Sequence, residues 1–448
     1  MKTLLELAQE LKIGATTSAA LVEQCLANID DPAGEGARAF IEVYRDGARA
    51  AARAADKARA RGELVGPIAG IPISIKDLFD VAGEVTRAGS TILAHAPPAE
   101  RDAPAIARLK AAGLILMGRT NMTEFAYGAH GTNSHYGTPL NAWDRASKRI
   151  PGGSTSGGAV SVTDRMAAAT IGSDTGGSVR IPAALCGIAG YKPTQARVPL
   201  EGAFPLSHTR DSIGPLGASA NCCVLLDRVM AGETVATREL ASLRGLTFGV
   251  PTTILLDKLD KSVERAFESA LTRMSRAGAT IREFVFQELQ DEFDGSRLVN
   301  FSGYEAYQLH RERLETKLDE LDPRVSKRLL LGARMKESDY RDLLLLRQKL
   351  MASANNTTAV FDALLAPSVP IVAPTMAALD ASDDEFYRIN SLILRNAAPF
   401  NALNRPAWSL PCHKAGDAPV GLMVVGETDG DAKLQRIGVA TEATLAAG

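Results

Sequence analysis

Two short clusters of glycine and hydroxyl residues constrain this chain more than any other feature. They read PGGSTSGG, at 151–158, and GSDTGGSVR, at 172–180. Glycine lets a backbone turn tightly and approach other groups closely, and a serine hydroxyl can act as a nucleophile when a base activates it. Three roles are compatible with such clusters: a flexible linker, a phosphate-binding loop, or a nucleophile beside N–H groups that bind an oxyanion.

The residues around the clusters argue against the first two roles. A Gly/Ser linker is polar throughout, whereas the second cluster continues directly into the apolar segment 179–193. A phosphate loop of the G-x-x-x-x-G-K-[ST] type needs a lysine after its second glycine, but Ala159 follows Gly158. The sequence therefore favours a nucleophilic serine.

The sequence lacks the motifs of two common classes of hydrolase, the α/β-hydrolases and the aspartic proteases. The serine of the G-x-S-x-G motif of α/β-hydrolases is replaced by Thr155 in the first cluster and by Asp174 in the second. The D-T-G triplet of aspartic proteases needs a second copy in a chain of this size, and none is present. The six histidines offer no anchor for a Ser-His-Asp triad. A serine activated by a base other than histidine remains.

Lys76 is the candidate for that base. It lies in the alternating segment 71–79, whose isoleucines share one face of a predicted strand while Lys76 lies on the other. Burial would lower its pKa from about 10.4 towards neutrality and let it accept a proton. A solvated ion pair with the adjacent Asp77 is the alternative interpretation.

Strand and helix patterns alternate along the rest of the chain, as is typical of α/β proteins. Further strands are predicted at 114–118, 167–172, 246–250, 361–367 and 421–426, and helices at 45–62, 103–112 and 262–279. A charged stretch from about 311 to 351 is predicted to form a helical cap. No repeat or polar linker divides the chain into independent domains.

Composition limits the classes of partner. The chain has 50 Lys and Arg against 52 Asp and Glu, a net charge of −2, so neither nucleic acid nor an anionic membrane is expected as its partner. No stretch reaches the roughly 18 apolar residues of a membrane span. Five cysteines without metal or redox spacing predict reduced thiols and a cytoplasmic protein.

The segment 151–194, which contains both clusters, resembles the signature of the amidase signature family. PISIKDLFDVAG, at 72–83, resembles the lysine segment of that family, and similarity continues at 108–128, 141–144, 361–370 and 419–426. The resemblance covers nearly the whole chain except about 252–345. It implies a single α/β domain over 1–448, with a central mixed β-sheet flanked by helices and a more variable helical region at about 252–350.

The resemblance also implies a catalytic triad. Ser178 matches the acyl-forming nucleophile of the family, Ser154 the bridging serine that follows a cis peptide bond, and Lys76 the base. The 24-residue spacing between the two serines is that of the family. The implied reaction hydrolyses a carboxylic amide to a carboxylate plus ammonia or an amine through an acyl-serine intermediate, with no organic cofactor and no metal.

Further site residues follow from the same resemblance. The predicted oxyanion hole consists of the N–H groups of Thr175, Gly176, Gly177 and Ser178, and the predicted substrate-binding residues are Tyr127, Gly128 and Arg347. Relatives that act on carboxylate-bearing amides place an arginine near position 347, although a helix-surface arginine is the alternative. Asp174 and Arg180, which flank the nucleophile, are predicted to form a structural ion pair.

Two other functions stay open. One is the A subunit of a tRNA-dependent glutamine amidotransferase, which releases ammonia for a partner, although the segment 124–137 departs from the pattern of that protein. The other is a catalytically silent scaffold, against which the intact Lys76, Ser154 and Ser178 argue. The expected partner is a small-molecule amide substrate, with a homodimer left open. Activity is expected to rise to an alkaline optimum as Lys76 loses its proton.

Overall fold

One mixed β-sheet forms the centre of the protein. The structure is a computed structural model that describes residues 1–63, 66–234, 242–295 and 300–447. Within these residues eleven strands pair in the order β1-β3-β2-β4-β6-β5-β10-β11-β9-β7-β8. They are β1 Phe40–Val43, β2 Pro72–Lys76, β3 Ile115–Thr120, β4 Ala169–Ser173, β5 Ala189–Lys192, β6 Ile213–Gly217, β7 Thr247–Pro251, β8 Thr280–Phe284, β9 Ala363–Pro367, β10 Ala407–Pro411 and β11 Gly421–Val425.

Parallel and antiparallel pairs both occur in this sheet. β2 runs parallel to β3 and β4, and β7 runs parallel to β8 and β9. The other neighbouring strands are antiparallel. The predicted α/β fold with a central mixed sheet is confirmed.

Helices flank the sheet. They are α1 Leu4–Lys12, α2 Ser18–Asp30, α3 Gly36–Ala39, α4 Arg45–Ala60, α5 Pro104–Ala111, α6 Ser156–Thr163, α7 Arg180–Cys186, α8 Ala220–Ala231, α9 Lys261–Arg276, α10 Gln287–Gly295, α11 Phe301–Thr316, α12 Pro323–Leu331, α13 Glu337–Thr358, α14 Met376–Leu379, α15 Asp383–Leu394, α16 Ala398–Ala402 and α17 Asp431–Ala446. The three predicted helices are α4, α5 and α9. The charged stretch at 311–351 is largely helical, in α11, α12 and α13.

The sequence pattern does not predict five of the strands: β1, β5, β6, β8 and β10. β5 and β6 read AGYK and IGPLG, and such short, glycine-containing segments become strands because of their pairing partners rather than their own propensity. β8 is an edge strand inside the region 252–350, for which the family resemblance implies helices. Residues 296–299 of that region lie outside the described residues.

The strand that carries Lys76 lies in the interior of the sheet. β2 is placed between β3 and β4, and all five of its residues are buried. Its isoleucines belong to an apolar core on one face. On the other face, the hydroxyl groups of Ser74 and Ser161 of α6 are 2.9 Å apart and hydrogen-bonded. Because both faces of β2 are covered, the side chain of Lys76 at its end is surrounded by protein rather than solvent.

No helix in the described part of the chain has the length and apolar character needed to cross a membrane. All five cysteines are among the described residues, and each is a buried free thiol.

Candidate active site

The two glycine-hydroxyl clusters lie side by side near the carboxyl ends of two neighbouring strands. β2 and β4 are parallel, so their last residues, Lys76 and Ser173, lie at the same end of the strands. Thr155 of the first cluster donates hydrogen bonds to the carbonyl oxygen of Ser178 of the second, from its backbone N at 3.4 Å and its Oγ1 at 2.6 Å. The two clusters therefore pack directly against each other.

Lys76 is completely buried and contacts hydroxyl groups. Its Nζ donates to Ser154 Oγ at 2.8 Å and to Ser173 Oγ at 3.0 Å. Burial lowers the pKa of Lys76 to about 7, although the charges of Asp174 and Asp211 oppose this shift. A lysine with this pKa is substantially neutral at physiological pH and can accept a proton from a hydroxyl group.

Asp77 does not pair with Lys76. Its carboxylate lies 3.7 Å from the guanidinium of Arg119 and accepts a hydrogen bond from Gly89 N at 3.0 Å. Both Asp77 and Arg119 are completely buried. The alternative of a solvated ion pair between Lys76 and Asp77 is therefore wrong.

Ser154 and Ser178 occupy different depths in the site. The peptide bond between Gly153 and Ser154 is cis, as the family resemblance implies. Ser154 is completely buried, whereas Ser178 is 5% exposed and lines a cleft. Among the hydrogen bonds of the described residues, none joins the two hydroxyl groups. Catalytic hydrogen bonds are often long in an enzyme without its substrate and tighten when the substrate binds.

Ser173, the second hydroxyl partner of Lys76, is a residue that sequence reasoning missed. It is the last residue of β4 and directly precedes Asp174. The available signal is that two buried strands, ISIK and ATIGS, both end in a residue able to hydrogen-bond. That signal becomes informative only when β2 and β4 are known to be parallel neighbours.

Asp174 holds the loop that carries Ser178. Its carboxylate accepts hydrogen bonds from the N–H groups of Gly177 at 2.8 Å, Val179 at 3.1 Å and Arg180 at 3.3 Å. The side chains of Arg180 and Asn401 donate to it as well. Burial alone would raise the pKa of Asp174, but the Arg180 charge and these donors hold it well below its usual range. The predicted Asp174–Arg180 ion pair is confirmed, with both partners completely buried.

Replacing Asp174 by asparagine is expected to lower the free energy of unfolding by about 3–5 kcal/mol, because the Arg180 charge would stay buried without its partner. Urea-induced unfolding measures this change. The control is Glu201→Gln, which breaks a 2.6 Å ion pair with Arg101 on the surface and should change stability little. Equal losses in the two variants would contradict this role of Asp174.

The backbone beside Ser178 offers donors for an oxyanion. Within the described residues, the N–H groups of Thr175, Gly176 and Ser178 have no hydrogen-bond acceptor, and these three residues line the cleft. Gly177 differs because its N–H donates to Asp174. Its φ is +122°, and a Cβ there would meet neighbouring side chains at 2.6 and 2.7 Å. The expectation that Gly177 donates to the oxyanion is corrected: the backbone shape requires a glycine, but its N–H is already used.

A cleft of about 400 Å³ opens on Ser178. Tyr127 and Gly128, two of the predicted substrate-binding residues, line it, and residues of the cap helices α11 and α12 line it as well. Arg328 of α12 lies over the Tyr127 ring at 4.2 Å and donates to the Tyr127 carbonyl oxygen at 2.7 Å. The cap therefore contacts the loop that borders the nucleophile.

Arg347, the third predicted substrate-binding residue, is not among the residues that line this cleft. Its Nε donates to the carbonyl oxygen of Ala402 at 2.7 Å, and its guanidinium lies 5.6 Å from the centre of the Phe301 ring. It borders a smaller neighbouring cavity, which shares Glu292 with the cleft. The structure places Arg210, which sequence reasoning left out, on the cleft wall.

Comparisons with known proteins identify relatives of this chain. The family model described as Amidase matches residues 20–434. The 2-amino-5-chloromuconic acid deaminase of Comamonas testosteroni is 34% identical over 417 residues, 91% of this chain and 89% of that protein. The A subunit of the glutamyl-tRNA(Gln) amidotransferase of Roseiflexus sp. (strain RS-1) is 34% identical over an alignment of 474 positions, gaps included, which covers 97% of this chain and 95% of that protein. A crystal structure of an amidase is 34% identical, covers 99% of both chains and superposes with a TM-score of 0.88.

Proposed function

The chain belongs to the amidase signature family, and we propose that it hydrolyses a carboxylic amide to a carboxylate plus ammonia or an amine. One observation carries the proposal: the completely buried Lys76 donates to Ser154 Oγ at 2.8 Å, beside the cleft that contains Ser178. Burial leaves that lysine with a pKa of about 7, which suits a general base at neutral pH.

In the proposed reaction, Ser178 Oγ attacks the amide carbonyl while its proton passes through Ser154 Oγ to the neutral amine of Lys76. The N–H groups of Thr175, Gly176 and Ser178 stabilise the oxyanion of the tetrahedral intermediate. The relay then returns the proton to the departing nitrogen as the C–N bond breaks, which leaves an acyl ester on Ser178. Water attacks this ester with the same proton transfers, releases the carboxylate and restores the Ser178 hydroxyl.

The role of Lys76 predicts the pH dependence of the reaction. Below its pKa of about 7 the amine is protonated and cannot accept the serine proton, whereas above it the amine is neutral. We therefore expect kcat/KM to rise with pH through one ionisation near 7 and then to level off. The measurement is ammonia release from a panel of primary amides, followed by a pH profile of kcat/KM on the best substrate.

Two results would contradict these proposals in different ways. A flat profile between about pH 6 and 8.5, with single-turnover kinetics showing that chemistry limits the rate, would contradict Lys76 as the base. A chain that hydrolyses no amide and reacts with no serine reagent would contradict the amidase proposal and favour a silent scaffold.

The similarity to the A subunit of an amidotransferase favours a second candidate function, in which the chain releases ammonia from glutamine for partner proteins. Its identity of 34% equals that of the deaminase, so overall similarity does not separate the two. The departure of segment 124–137 from the pattern of the amidotransferase protein favours the first candidate. Glutamine hydrolysis that requires the added amidotransferase partners would support the second, and amide hydrolysis by the chain alone would support the first.

A further inference from the structure

Arg210 is a buried cation on the wall of the cleft that opens on Ser178. It is 7% exposed. Its Nη2 donates to the carbonyl oxygen of Ala398 at 2.7 Å, and its Nε is buried with no hydrogen-bond partner in the described residues. A buried charged donor without an acceptor is unfavourable, and this cost falls when a ligand supplies the acceptor.

Two other arginines line the cleft in the described residues, Arg328 and Arg395. They are less suited to bind a ligand, because both are partly exposed and already donate hydrogen bonds within the protein. Arg328 stacks on Tyr127 and donates to its carbonyl oxygen. Arg395 donates to Asn396 Oδ1 at 2.9 Å and to two backbone carbonyl oxygens, at 2.6 and 3.3 Å. Arg210 is therefore the buried cleft arginine with an unused donor.

No carboxylate of the described residues lies within hydrogen-bonding distance of Arg210. Glu292, which also lines the cleft, lies 3.8 Å from its Nη2, too far for a hydrogen bond. Burial raises the pKa of Glu292, against the opposing charge of Arg210. Glu305 is near enough for its charge to act on Arg210, but it accepts hydrogen bonds from Ser207 Oγ and Tyr340 OH, both at 2.5 Å. Within the described residues, Arg210 thus has one long ion pair, with Glu292, and no carboxylate hydrogen-bonded to its guanidinium.

Arg210 is also held close to the proposed oxyanion site. The carboxylate of the next residue, Asp211, accepts a hydrogen bond from Thr175 Oγ1 at 2.5 Å. Ala398, which accepts the hydrogen bond from Arg210, lies beside Gly176, since a Cβ on that glycine would be 3.7 Å from Ala398 Cβ. A ligand that reaches both the oxyanion site and Arg210 is therefore short.

We propose that Arg210 binds a carboxylate of the substrate, and that the preferred substrates are monoamides of short dicarboxylic acids. The inference rests on the proposed amidase function and names its substrate class. A guanidinium can donate two parallel hydrogen bonds to one carboxylate, which fixes orientation as well as adding binding energy. A carboxylate on the acyl part stays bound to Arg210 through both attack on the amide and hydrolysis of the Ser178 ester.

The variants Arg210→Gln and Arg347→Gln form a matched pair for the test. Both guanidinium groups lie near the Phe301 ring, at 5.8 and 5.6 Å, but only Arg210 lines the cleft. The experiment compares kcat/KM for succinamate and glutaramate with kcat/KM for the neutral butyramide and valeramide. We expect Arg210→Gln to lower the anionic-to-neutral ratio about 30-fold or more, and Arg347→Gln to change it less than about threefold. Because the ratio is taken within one protein, partial loss of folded enzyme cancels.

Binding of succinate and glutarate, measured by calorimetry on a Ser178→Ala background, separates this inference from the amidase proposal. Arg210→Gln should weaken binding about 30-fold or more, Arg210→Lys should recover part of it because the charge is retained, and Arg347→Gln should leave it unchanged. If Ser178→Ala binds the dicarboxylates in this way but the wild type hydrolyses no amide, the carboxylate site is upheld and the amidase proposal is overturned.

Three results would overturn the inference. The first is the absence of dicarboxylate binding together with equal use of anionic and neutral amides. The second is a loss of anion preference in Arg347→Gln but not in Arg210→Gln, which would return the role to the arginine predicted from sequence. The third is an equal loss of activity on anionic and neutral amides in Arg210→Gln, which would indicate a structural role.

Discussion

Replacing Ser178 by alanine is expected to abolish covalent labelling by a fluorophosphonate and to lower kcat/KM on any amide substrate by about 10⁴- to 10⁶-fold. The variant loses the hydroxyl that would form the acyl ester, and enzymes that lose their nucleophile retain only the part of catalysis that comes from binding and oxyanion stabilisation. Ser178 lines the cleft, whereas Ser154 and Ser173 contact Lys76. Intact mass after treatment with the reagent measures the first effect directly, since the wild type should gain one adduct.

Ser156→Ala is the matched control for this experiment. Ser156 belongs to the first glycine-hydroxyl cluster, is completely buried, and donates through Oγ to the carbonyl oxygen of Asn121 at 3.4 Å. Its loss should leave one adduct per chain, as in the wild type. An adduct that survives Ser178→Ala would mean that another residue is the nucleophile. A wild type that gains no adduct would mean that the site is silent or closed, and partner proteins would then be tested before further substrates.

The proposed catalytic residues could be selected from the sequence because the motifs that carry the family resemblance are local. The hydroxyl of Ser178 follows two glycines, and Lys76 ends a strand with a clear alternating pattern, so short windows carry the signal. The same holds for the strands that frame them, β2 and β4, which are apolar and whose prediction needs no knowledge of their neighbours.

Contacts between distant segments were not predictable in this way. Ser173 becomes a partner of Lys76 only because β2 and β4 are neighbours in the sheet. Arg210 lies in a polar loop, and its burial depends on Ala398 and Phe301, which are far away in the sequence. Arg347 is the opposite case: its spacing from a motif, together with the family resemblance, predicted a substrate contact, but its guanidinium lies near Phe301 and does not line the cleft. Specificity residues on variable loops thus need the tertiary structure.

Replacing Lys76 by methionine is expected to lower kcat/KM by about 10²- to 10⁴-fold, the range typical for loss of a general base, and to remove the ionisation near pH 7 from its pH profile. Methionine resembles lysine in length and brings no charge into the interior, so the site should stay folded. The residual activity should be independent of pH between about 6 and 8.5. Steady-state kinetics of the two proteins over this range measure both effects.

Lys192→Met is the matched control. Lys192 is also buried, and burial lowers its pKa to about 7 as well, but its Nζ donates to the carbonyl oxygen of Pro193 at 2.8 Å rather than to a serine. This variant should keep the ionisation near pH 7 in kcat/KM. A pH profile that becomes flat in Lys192→Met and stays unchanged in Lys76→Met would contradict Lys76 as the base.

Stability measurements separate the chemistry of Lys76 from the effect of burying a lysine. For both lysines the folded-state pKa of about 7 lies below the ordinary value of about 10.4, so the unfolded chain binds more protons between these two pH values. The contribution of each lysine to stability therefore increases as pH rises from about 7 to about 10.4. Each methionine variant should lose its share of this slope, which urea unfolding at several pH values measures. Both variants thus change the pH dependence of stability, but only Lys76→Met should change the pH dependence of catalysis, since only Lys76 contacts the proposed serine relay.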